Sequence, residues 1–435
     1  MIIHLGIDST DSPLGGCTTF TMVKIIDELH IADPTFVLIG YPRLVRLNPN
    51  VPTKTRGNAS LGLTFDTELN LDIIKKLVSD IVMEDFRQFD DHSGKKPGIA
   101  LLTGDIEFNK LYEASLQTIL TLDDIKANYP KIWVSPENSL GLIGASIAAT
   151  TKFEADHTFE LLAYRLSKHC GSPRAVDVEK IKKLGYAEDL FSSFDFENNR
   201  ELIAPSGPDP IFCGIRGNNP YKLKQYFSDL AIEENLEGIC LFISNQGTDD
   251  HVKRPQSSII PNFVVSSLAN VHKLPEDLPG GHVKIALRFG EHIIDTMAFQ
   301  PTGNLRNVVR SLLPGDLIQV DANVKMNEFG LSIAIESFVI IDLINKIERR
   351  PQICPNGHTM TKAGLFKGYK CKECGFTTLQ TNDVVVERAL YPGQLVFADL
   401  KAQRHLTRPL SRHHIKNKQN LVKKLQYHEI RTRFY

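Results

Sequence analysis

The chain has 435 residues, 42% of them hydrophobic and 23% charged, with a formal net charge of −1 at pH 7. This length and composition suit a globular protein of about three domains. The charge excludes a uniformly basic coat that would bind nucleic acid without selectivity. The apolar runs are too short to cross a bilayer, and the seven scattered cysteines do not suggest a disulfide framework. We therefore expect a cytoplasmic protein with no membrane anchor.

The N-terminal segment predicts a strand, a polar loop and a helix in that order. Apolar spacing predicts a buried strand at Ile2–Ile7 and a helix at Phe20–Leu29, joined by a loop rich in glycine and threonine. Asp8 and Asp11 are hard oxygen ligands suited to Mg²⁺, while the glycines and the helix start offer backbone N–H groups to phosphate. The loop lacks the Gly-Lys-Ser/Thr ending of a P-loop, so spacing alone is more typical of a capped turn.

A basic loop follows the second predicted strand, Phe36–Tyr41. Residues 42–58 contain prolines and a glycine, and no acidic residue occurs before the next predicted strand, Ala59–Phe65, ends. Cations in a proline-stiffened loop can hold polyphosphate or an RNA backbone, and surface solvation is the competing interpretation. The cations and amides of this loop are Arg43, Arg46, Asn48, Lys54, Arg56 and Asn58.

Between residues 71 and 251, predicted helices alternate with predicted strands. The helices are Leu71–Met83, Gly141–Ala149, Thr158–Ser167 and Tyr221–Leu230, and the strands are Gly98–Leu102, Phe212–Arg216 and Gly238–Ser244. Small residues in 141–149 favour a helix that packs closely on its neighbours. The last strand, helix and strand suggest a small α+β domain. The glycine-containing loops 214–217 and 244–251 leave its strands as binding loops do, although each alone is an ordinary turn.

Alternating strands dominate from His282 onward. Four or five of them, with a Pro-Gly-Asp turn at 314–316 and one helix near Asn304–Leu313, suit a small closed barrel of the OB type. Another compact β domain would have the same periodicity.

Two cysteine-containing knuckles predict a structural zinc site. Cys354 and His358 form the first, and Cys371 and Cys374 form the second with the usual two-residue gap. In the first knuckle that gap leads to Gly357, so His358 would be the substitute ligand one place later. The alternative is a degenerate ribbon that binds no metal.

The positive charge gathers in the C-terminal tail. Residues 401–435 contain ten Lys or Arg residues and four histidines, opposed only by Glu429. A phosphate contact and a solvated, partly disordered terminus explain this composition equally well.

Taken together and in order, short motifs along the whole chain resemble those of the archaeal tRNA(Ile2) 2-agmatinylcytidine synthetases. They are GIDSTDSPLGGCTT, YPRLVRLNPNVPTKTRGN, GLIGA, AYR, CGIRG, SNQGTDDH, GGHV, FQPTGNLRNVVRSLLPGD, the two knuckles and RHLTRPL. The resemblance implies a multidomain α+β protein. Its parts would be an ATP-binding kinase-like α/β domain (1–130), a ferredoxin-like domain (131–265), an OB-fold β-barrel (266–345) and a zinc ribbon with the basic tail (346–435).

The resemblance also implies a reaction. ATP and agmatine would be used to replace the C2 oxygen of the wobble cytidine of tRNA(Ile2), giving an anticodon that pairs with AUA, and ATP would end as AMP and phosphate. Asp8 and Asp11 would hold Mg²⁺, and Thr18 would lie beside the γ-phosphate and become phosphorylated. The nucleotide-binding residues would be Lys54, Arg56, Asn58, Arg216 and Asn245, with Asp209 a candidate for agmatine.

One position departs from the family motif. The family commonly has Gly-Ile-Asp-Asp-Thr-Asp-Ser, whereas Ser9 here replaces the second aspartate and removes one hard ligand. Asp8, Asp11 and bound water could still complete octahedral coordination. Two rival functions stay open: a non-catalytic RNA-binding protein built on the OB fold, ribbon and tail, and an ATP-dependent RNA modifier that uses another amine.

Overall fold

The computed structural model describes residues 1–51, 54, 58–90, 96–253, 259–327, 330–418 and 423–434. The chain separates into two compact units. The first comprises Met1–Ser266, Asn323–Leu331 and Ala398–Tyr435, and the second comprises Ser267–Ala322 and Ser332–Phe397. Within the described residues, no helix is long and apolar enough to span a membrane.

The α-helices of the described residues are α1 (Thr18–Ala32), α2 (Leu71–Gln88), α3 (Tyr112–Gln117), α4 (Leu122–Asn128), α5 (Gly141–Ala149), α6 (Val178–Leu184), α7 (Pro220–Asp229), α8 (Asn304–Arg310) and α9 (Tyr427–Ile430).

The strands of the first half of the chain are β1 (Ile2–Asp8), β2 (Val37–Ile39), β3 (Arg43–Arg46), β4 (Ala59–Asp66), β5 (Gly98–Thr103), β6 (Trp133–Ser135), β7 (Thr158–Arg165), β8 (Phe194–Asp195), β9 (Arg200–Glu201), β10 (Ile211–Gly217) and β11 (Leu236–Ser244). Those that follow are β12 (Val252–Lys253), β13 (Val264–Val271), β14 (Glu276–Leu278), β15 (His282–Phe289), β16 (His292–Ala298), β17 (Leu317–Asn327), β18 (Gly330–Asp342), β19 (Lys346–Arg350), β20 (Thr361–Lys362), β21 (Tyr369–Lys370), β22 (Thr377–Thr378), β23 (Asn382–Val386), β24 (Leu395–Phe397), β25 (Lys424–Leu425) and β26 (Arg431–Arg433).

One sheet runs through the whole first unit, in the order β10-β7-β11-β3-β4-β1-β5-β6. Its two halves join where β3 pairs in parallel with β11, with Arg43 opposite Ile243 and Leu44 opposite Ser244. The sequence predicts that Arg43–Arg46 belong to a basic loop, and that prediction is wrong for these four residues. They form a strand because β4 pairs with all four residues and β11 pairs with Arg43 and Leu44, which local sequence does not reveal.

The close packing expected of the glycine-rich helix is confirmed. A Cβ atom on Gly6 of β1 would lie 1.8 Å from the carbonyl oxygen of Ala145 in α5, and one on Gly62 of β4 would lie 2.0 Å from that of Ala148. Both distances are below any tolerable contact. Only glycine therefore lets α5 lie this close to β1 and β4.

Arg43 holds the carboxyl end of α5. Its buried guanidinium donates to the carbonyl oxygens of Ala148 and Ala149, at 3.2 and 3.3 Å, and to Thr64 Oγ1 at 3.0 Å. These carbonyls belong to the last turn of the helix, where acceptors lack intrahelical partners. Arg43 therefore has a structural role, which neither interpretation of the basic loop anticipated.

The segment 158–167 was predicted to be a helix, but β7 occupies Thr158–Arg165 and all eight of its residues are buried. The strand pairs antiparallel with β10 on one side and β11 on the other. A strand buried on both faces has a nearly continuous apolar run, and leucine, alanine and glutamate in that run favour helix locally. Tertiary pairing overrides that preference.

The basic tail is a folded part of the first unit. β25 pairs with β2, and β26 pairs with β11. Buried Asp156 accepts from Arg408 at 2.7 Å and from Arg412 at 3.0 Å. Arg431 bonds to Asp27 at 2.9 Å and also pairs with Glu237. These three arginines therefore stabilise the fold, because a buried carboxylate or guanidinium left without its partner costs several kcal/mol.

In the second unit, the strands form a ring closed by the pairing of β13 with β15. The order along the sheet is β13-β17-β18-β16-β15, and Asn270 lies opposite Arg288 where the ring closes. Helix α8 packs against β15 and β24. Buried Asp316 accepts from both terminal nitrogens of Arg388, at 2.7 and 2.6 Å. This bidentate pair ties the segment after β23 to the turn before β17.

Candidate active site

Several strands of the large sheet end on the same side, and polar residues lie at these strand ends. β1, β3, β11 and β10 run in the same direction, because β4 is antiparallel to β1 and β3, β3 is parallel to β11, and β7 is antiparallel to β11 and β10. Their carboxyl ends carry Asp8, Arg46, Asn245 and Arg216. The opposite strand β7 brings Glu160, near its start, to the same edge.

Asp8 ends β1 in a buried position. Its Oδ1 accepts from the Ser9 backbone N–H at 2.6 Å. Gly144 of α5 leaves room for this carboxyl group, since a Cβ there would lie 1.9 Å from Asp8 Oδ2. Burial raises the pKa of Asp8 to about 7, and the charge of Asp11 adds to the rise. A divalent cation would stabilise the ionised form of a buried carboxylate that has a second carboxylate beside it.

Thr18 is the first residue of α1 and lies beside Asp11. Its hydroxyl donates to Asp11 Oδ1 at 3.2 Å, and the residue is 5% exposed. Gly15 and Gly16 have φ values of 148° and 75°, and they reverse the chain just before the helix. Cys17 precedes the helix, and its side chain makes no capping hydrogen bond. The first backbone N–H groups of α1 are therefore not occupied by this side chain.

A cavity of about 580 Å³ opens beside these residues, entirely within the first unit. Its charged and polar lining includes Asp11, Thr18, Arg46, Glu160, Asp209, Arg216 and His405. The structure thus brings together four residues predicted from the sequence: Asp11, Thr18, Asp209 and Arg216. It adds Glu160 and His405, to which the sequence analysis gave no role.

A hydrogen-bonded chain of side chains forms one wall of the cavity. Arg216 Nε donates to Glu160 Oε1 at 2.9 Å, and the side-chain amide of Gln246 donates to the other oxygen of Glu160. Arg46 Nη2 donates to Gln246 Oε1 at 3.2 Å. Buried Glu160 therefore orients both cations of this wall. Its position on β7 was missed because that strand was predicted to be a helix.

Asn245 contacts the protein with both ends of its amide group. Oδ1 accepts from the Arg46 backbone N–H at 2.8 Å, and Nδ2 donates to the Arg46 carbonyl at 2.9 Å and to Tyr112 Oη at 2.9 Å. These bonds fix the end of β3 beside the end of β11. Any effect of Asn245 on a nucleotide would therefore act through the position of Arg46.

Three of the predicted nucleotide-binding residues lie in or next to the basic loop. Lys54 is exposed, and its Nζ donates to the Pro49 carbonyl at 2.7 Å. Asn58 donates to the Asn48 carbonyl at 2.7 Å, which closes the base of the loop. Arg56 lies outside the described residues. Neither Lys54 nor Asn58 is part of the described lining of the cavity.

Comparison with known proteins assigns the chain to a family. The family model described as the TiaS TCKD domain matches residues 4–132, and the TiaS FLD domain model matches residues 140–251. The tRNA(Ile2) 2-agmatinylcytidine synthetase TiaS of Pyrococcus horikoshii is 34% identical over 431 residues, covering 94% of this chain and 97% of the relative. The chain belongs to the TiaS family.

Other members show the same extent of similarity. The TiaS of Methanocaldococcus jannaschii is 31% identical over 432 residues, covering 94% of this chain and 98% of the relative. A solved TiaS–tRNA(Ile2)–ATP complex matches with a TM-score of 0.86 at 27% identity, covering 97% of this chain and 100% of that one. A TiaS–tRNA(Ile2)–AMPCPP–agmatine complex gives 0.83 at 26% identity with the same coverage. The multidomain α+β TiaS fold is thus confirmed.

The second unit of this TiaS-family chain contains the predicted Cys/His cluster. The ligand atoms of Cys354, His358, Cys371 and Cys374 all lie within 4.8 Å of one another. His358 Nδ1 is 3.5 Å from Cys354 Sγ and 3.8 Å from Cys371 Sγ. Gly357 has a φ of 82°, and this left-handed turn lets the next residue, His358, lie beside the three cysteines. Three thiols and an imidazole this close together are a donor set that could hold zinc.

Proposed function

We propose that this chain uses ATP to attach agmatine to the wobble cytidine of tRNA(Ile2), forming 2-agmatinylcytidine. The observation that carries this proposal is the cavity in which Asp11, Thr18 and two arginines meet in a TiaS-family chain. The reaction needs groups that hold phosphate, accept phosphate and tolerate a cationic amine. In the cavity, two arginines could hold phosphate, the Thr18 hydroxyl could accept it, and the Asp209 carboxylate could face the amine.

The chemistry explains why these residue types are needed. A pyrimidine C2 carbonyl has an oxide leaving group, and phosphorylation of that oxygen gives a group that an amine can displace. Positioning and charge neutralisation then account for most of the rate. Asp8 and Asp11 would hold Mg²⁺, which when bound neutralises charge on the nucleotide phosphates. Because Ser9 replaces the second aspartate of the family motif, this ligand set has only the carboxylates of Asp8 and Asp11.

The remaining residues take roles by position. Thr18 would accept the γ-phosphoryl group, and the bond from its hydroxyl to Asp11 supports this role. Arg46 and Arg216 can stabilise the transferring phosphate from the cavity wall. Lys54, Arg56 and Asn58 would act from the basic loop, and Asn245 would keep Arg46 in place. Asp209 lines the cavity and offers a carboxylate to the cationic agmatine.

We further propose the four domains implied by the family: kinase-like (1–130), ferredoxin-like (131–265), OB fold (266–345) and zinc ribbon with tail (346–435). The closed ring of β13, β17, β18, β16 and β15 supports the OB assignment, and the Cys/His cluster supports the ribbon. A cytoplasmic location belongs to the same proposal, because the substrate is a transfer RNA and the cysteines are unpaired thiols.

Zinc removal tests the ribbon. The core around the cluster consists only of Cys354, Met360, Tyr369 and Cys371, which is too small to hold a fold without metal. We expect about one zinc per chain by elemental mass spectrometry. We also expect Cys371→Ser to remove it and to expose residues 352–378 to hydrogen exchange, while Cys170→Ser, an exposed thiol of the first unit, changes neither. Zinc-free protein with unchanged exchange would contradict the assignment.

The function is tested by mass analysis of tRNA nucleosides after reaction. Purified chain, Mg²⁺, ATP and a cytidine-bearing isoleucine tRNA are incubated with agmatine, lysine or spermidine in parallel. We expect a cytidine product carrying agmatine, dependent on ATP. A product only with lysine or spermidine would identify another amine, and tRNA binding without ATP turnover would identify an RNA-binding protein instead.

A further inference from the structure

We propose that His405 accepts the proton that the attacking amine of agmatine loses as the new C–N bond forms. The proposal rests on the proposed function and adds a catalytic residue to it. His405 belongs to the basic tail, far in sequence from the other residues of the cavity. The fold nevertheless brings its solvent-accessible side chain into the lining with Thr18 and Asp209.

The backbone around His405 is fixed by the loop after β11. The Gly247 N–H donates to the His405 carbonyl at 2.8 Å, and the Asp249 N–H donates to the Leu406 carbonyl at 2.9 Å. The Arg408 N–H returns a bond to Asp249 Oδ1 at 2.6 Å. Because Arg408 is also bound to buried Asp156, the segment that carries His405 is anchored on its C-terminal side. Such anchoring fixes the backbone from which the imidazole extends into the cavity.

The reaction step requires a proton acceptor at this place. The amine of agmatine is an ammonium at pH 7, so one proton must first pass to water to free its electron pair. The neutral nitrogen then donates that pair to C2, the C2–O bond breaks, and the oxygen leaves with the phosphate. The nitrogen then carries a positive charge until one of its protons departs. We assign that proton to a nitrogen of the His405 imidazole, which releases it to water afterwards. No oxidant or further reactant is needed.

The charges around the imidazole favour its neutral form. Arg46, followed by burial and by Arg216 and Lys54, lowers the pKa of His405 well below its usual value. The carboxylates that face the same cavity are Asp11, Glu160 and Asp209. Asp11 accepts a hydrogen bond from Thr18, and Glu160 accepts one from Arg216. The His405 side chain forms no hydrogen bond with any described residue, so its nitrogens are available to substrate.

The test separates the two chemical steps and uses two amines. We compare His405→Ala and His405→Gln with wild type and with His414→Ala, a control that removes an exposed histidine of the same tail outside the cavity lining. Phosphorylation of Thr18 reports the first step, and agmatine incorporation reports the second. The second amine is the alkoxyamine analogue of agmatine, whose nitrogen is already neutral at pH 7.

For both His405 variants we expect kcat for agmatine incorporation to fall by about 10²-fold, the usual size of general base catalysis. Thr18 phosphorylation and the KM for agmatine should stay within about threefold of wild type. The loss should shrink to about tenfold or less with the alkoxyamine, because its nitrogen is a much stronger acid once it carries the positive charge after attack and gives its proton to water without a base. His414→Ala should match wild type.

Equal losses with both amines, or unchanged incorporation in the variants, would overturn the role of His405. A variant that loses Thr18 phosphorylation would also count against it, since the residue would then serve the first step. Absence of incorporation by wild type is a different outcome, because it rejects the proposed function itself.

Discussion

Thr18→Ala is expected to abolish cytidine modification while leaving tRNA affinity nearly unchanged. The substitution removes the hydroxyl that donates to Asp11 at the start of α1. Loss of a residue that receives a transferring group costs about 10³-fold or more in kcat. The side chain itself is small, so its removal leaves only a small gap. Labelled agmatine incorporation and a tRNA filter-binding titration would measure the two quantities.

Thr18→Ser is the matched variant for this experiment. It keeps the hydroxyl and removes only the methyl group, so phosphorylation at position 18 and modification should persist within about tenfold of wild type. If Thr18→Ala retained ATP-dependent modification, phosphoryl transfer through this residue would be excluded. If Thr18→Ala lost tRNA binding as well, the residue would be part of the fold or of the RNA interface.

Asp8→Asn is expected to stabilise the protein at alkaline pH while it eliminates activity. The pKa of Asp8 rises from 3.8 to about 7 on folding, chiefly because of burial. Across that window the folded chain binds a proton that the unfolded chain does not, so wild-type stability falls as pH increases from about 4 to 7. One pKa unit corresponds to about 1.4 kcal/mol, and asparagine avoids this cost.

We therefore expect the free energy of unfolding of Asp8→Asn to exceed that of wild type by about 2 kcal/mol or more at pH 8, without Mg²⁺. The difference should shrink as the pH approaches 4. Denaturant unfolding in chelator at several pH values would measure it. Asp105→Asn, an exposed carboxylate, is the control and should show no such dependence. An equal or lower stability of Asp8→Asn at pH 8 would show that this carboxylate does not oppose folding.

The two residues flank the loop between β1 and α1. Thr18→Ala tests phosphoryl transfer at this loop, and Asp8→Asn tests what its buried carboxylate does to stability. Asp8 is buried against Gly144 of α5 at a cost in stability, which is typical of residues kept for function. Mg²⁺ with ATP would recover that cost by favouring the ionised form. Nucleotide binding should therefore raise the Tm of wild type more than that of Asp8→Asn.

Spacing and residue type alone determined several features. Each of these features depends on a short local pattern of residue types. They are the strand and loop at the N-terminus, the small-residue helix α5 and the Cys/His cluster. Asp11, Thr18 and Asp209 could be named as candidates because the motif sequence resembles a known family. For the same reason the fold class and the reaction could be stated before the structure was considered.

Long-range pairing decided the rest. The parallel pairing of β3 with β11, the strand conformation of β7 and the burial of the tail arginines all depend on partners far away in sequence. Local propensity could not predict them, since it favoured a loop at β3 and a helix at β7 and left the tail open between a phosphate contact and a solvated terminus. Glu160 and His405 reach the cavity only through that pairing. The sequence thus determined which chemical groups are present, and the sheet decided which of them meet, because backbone hydrogen bonds between distant strands fix side chains in space.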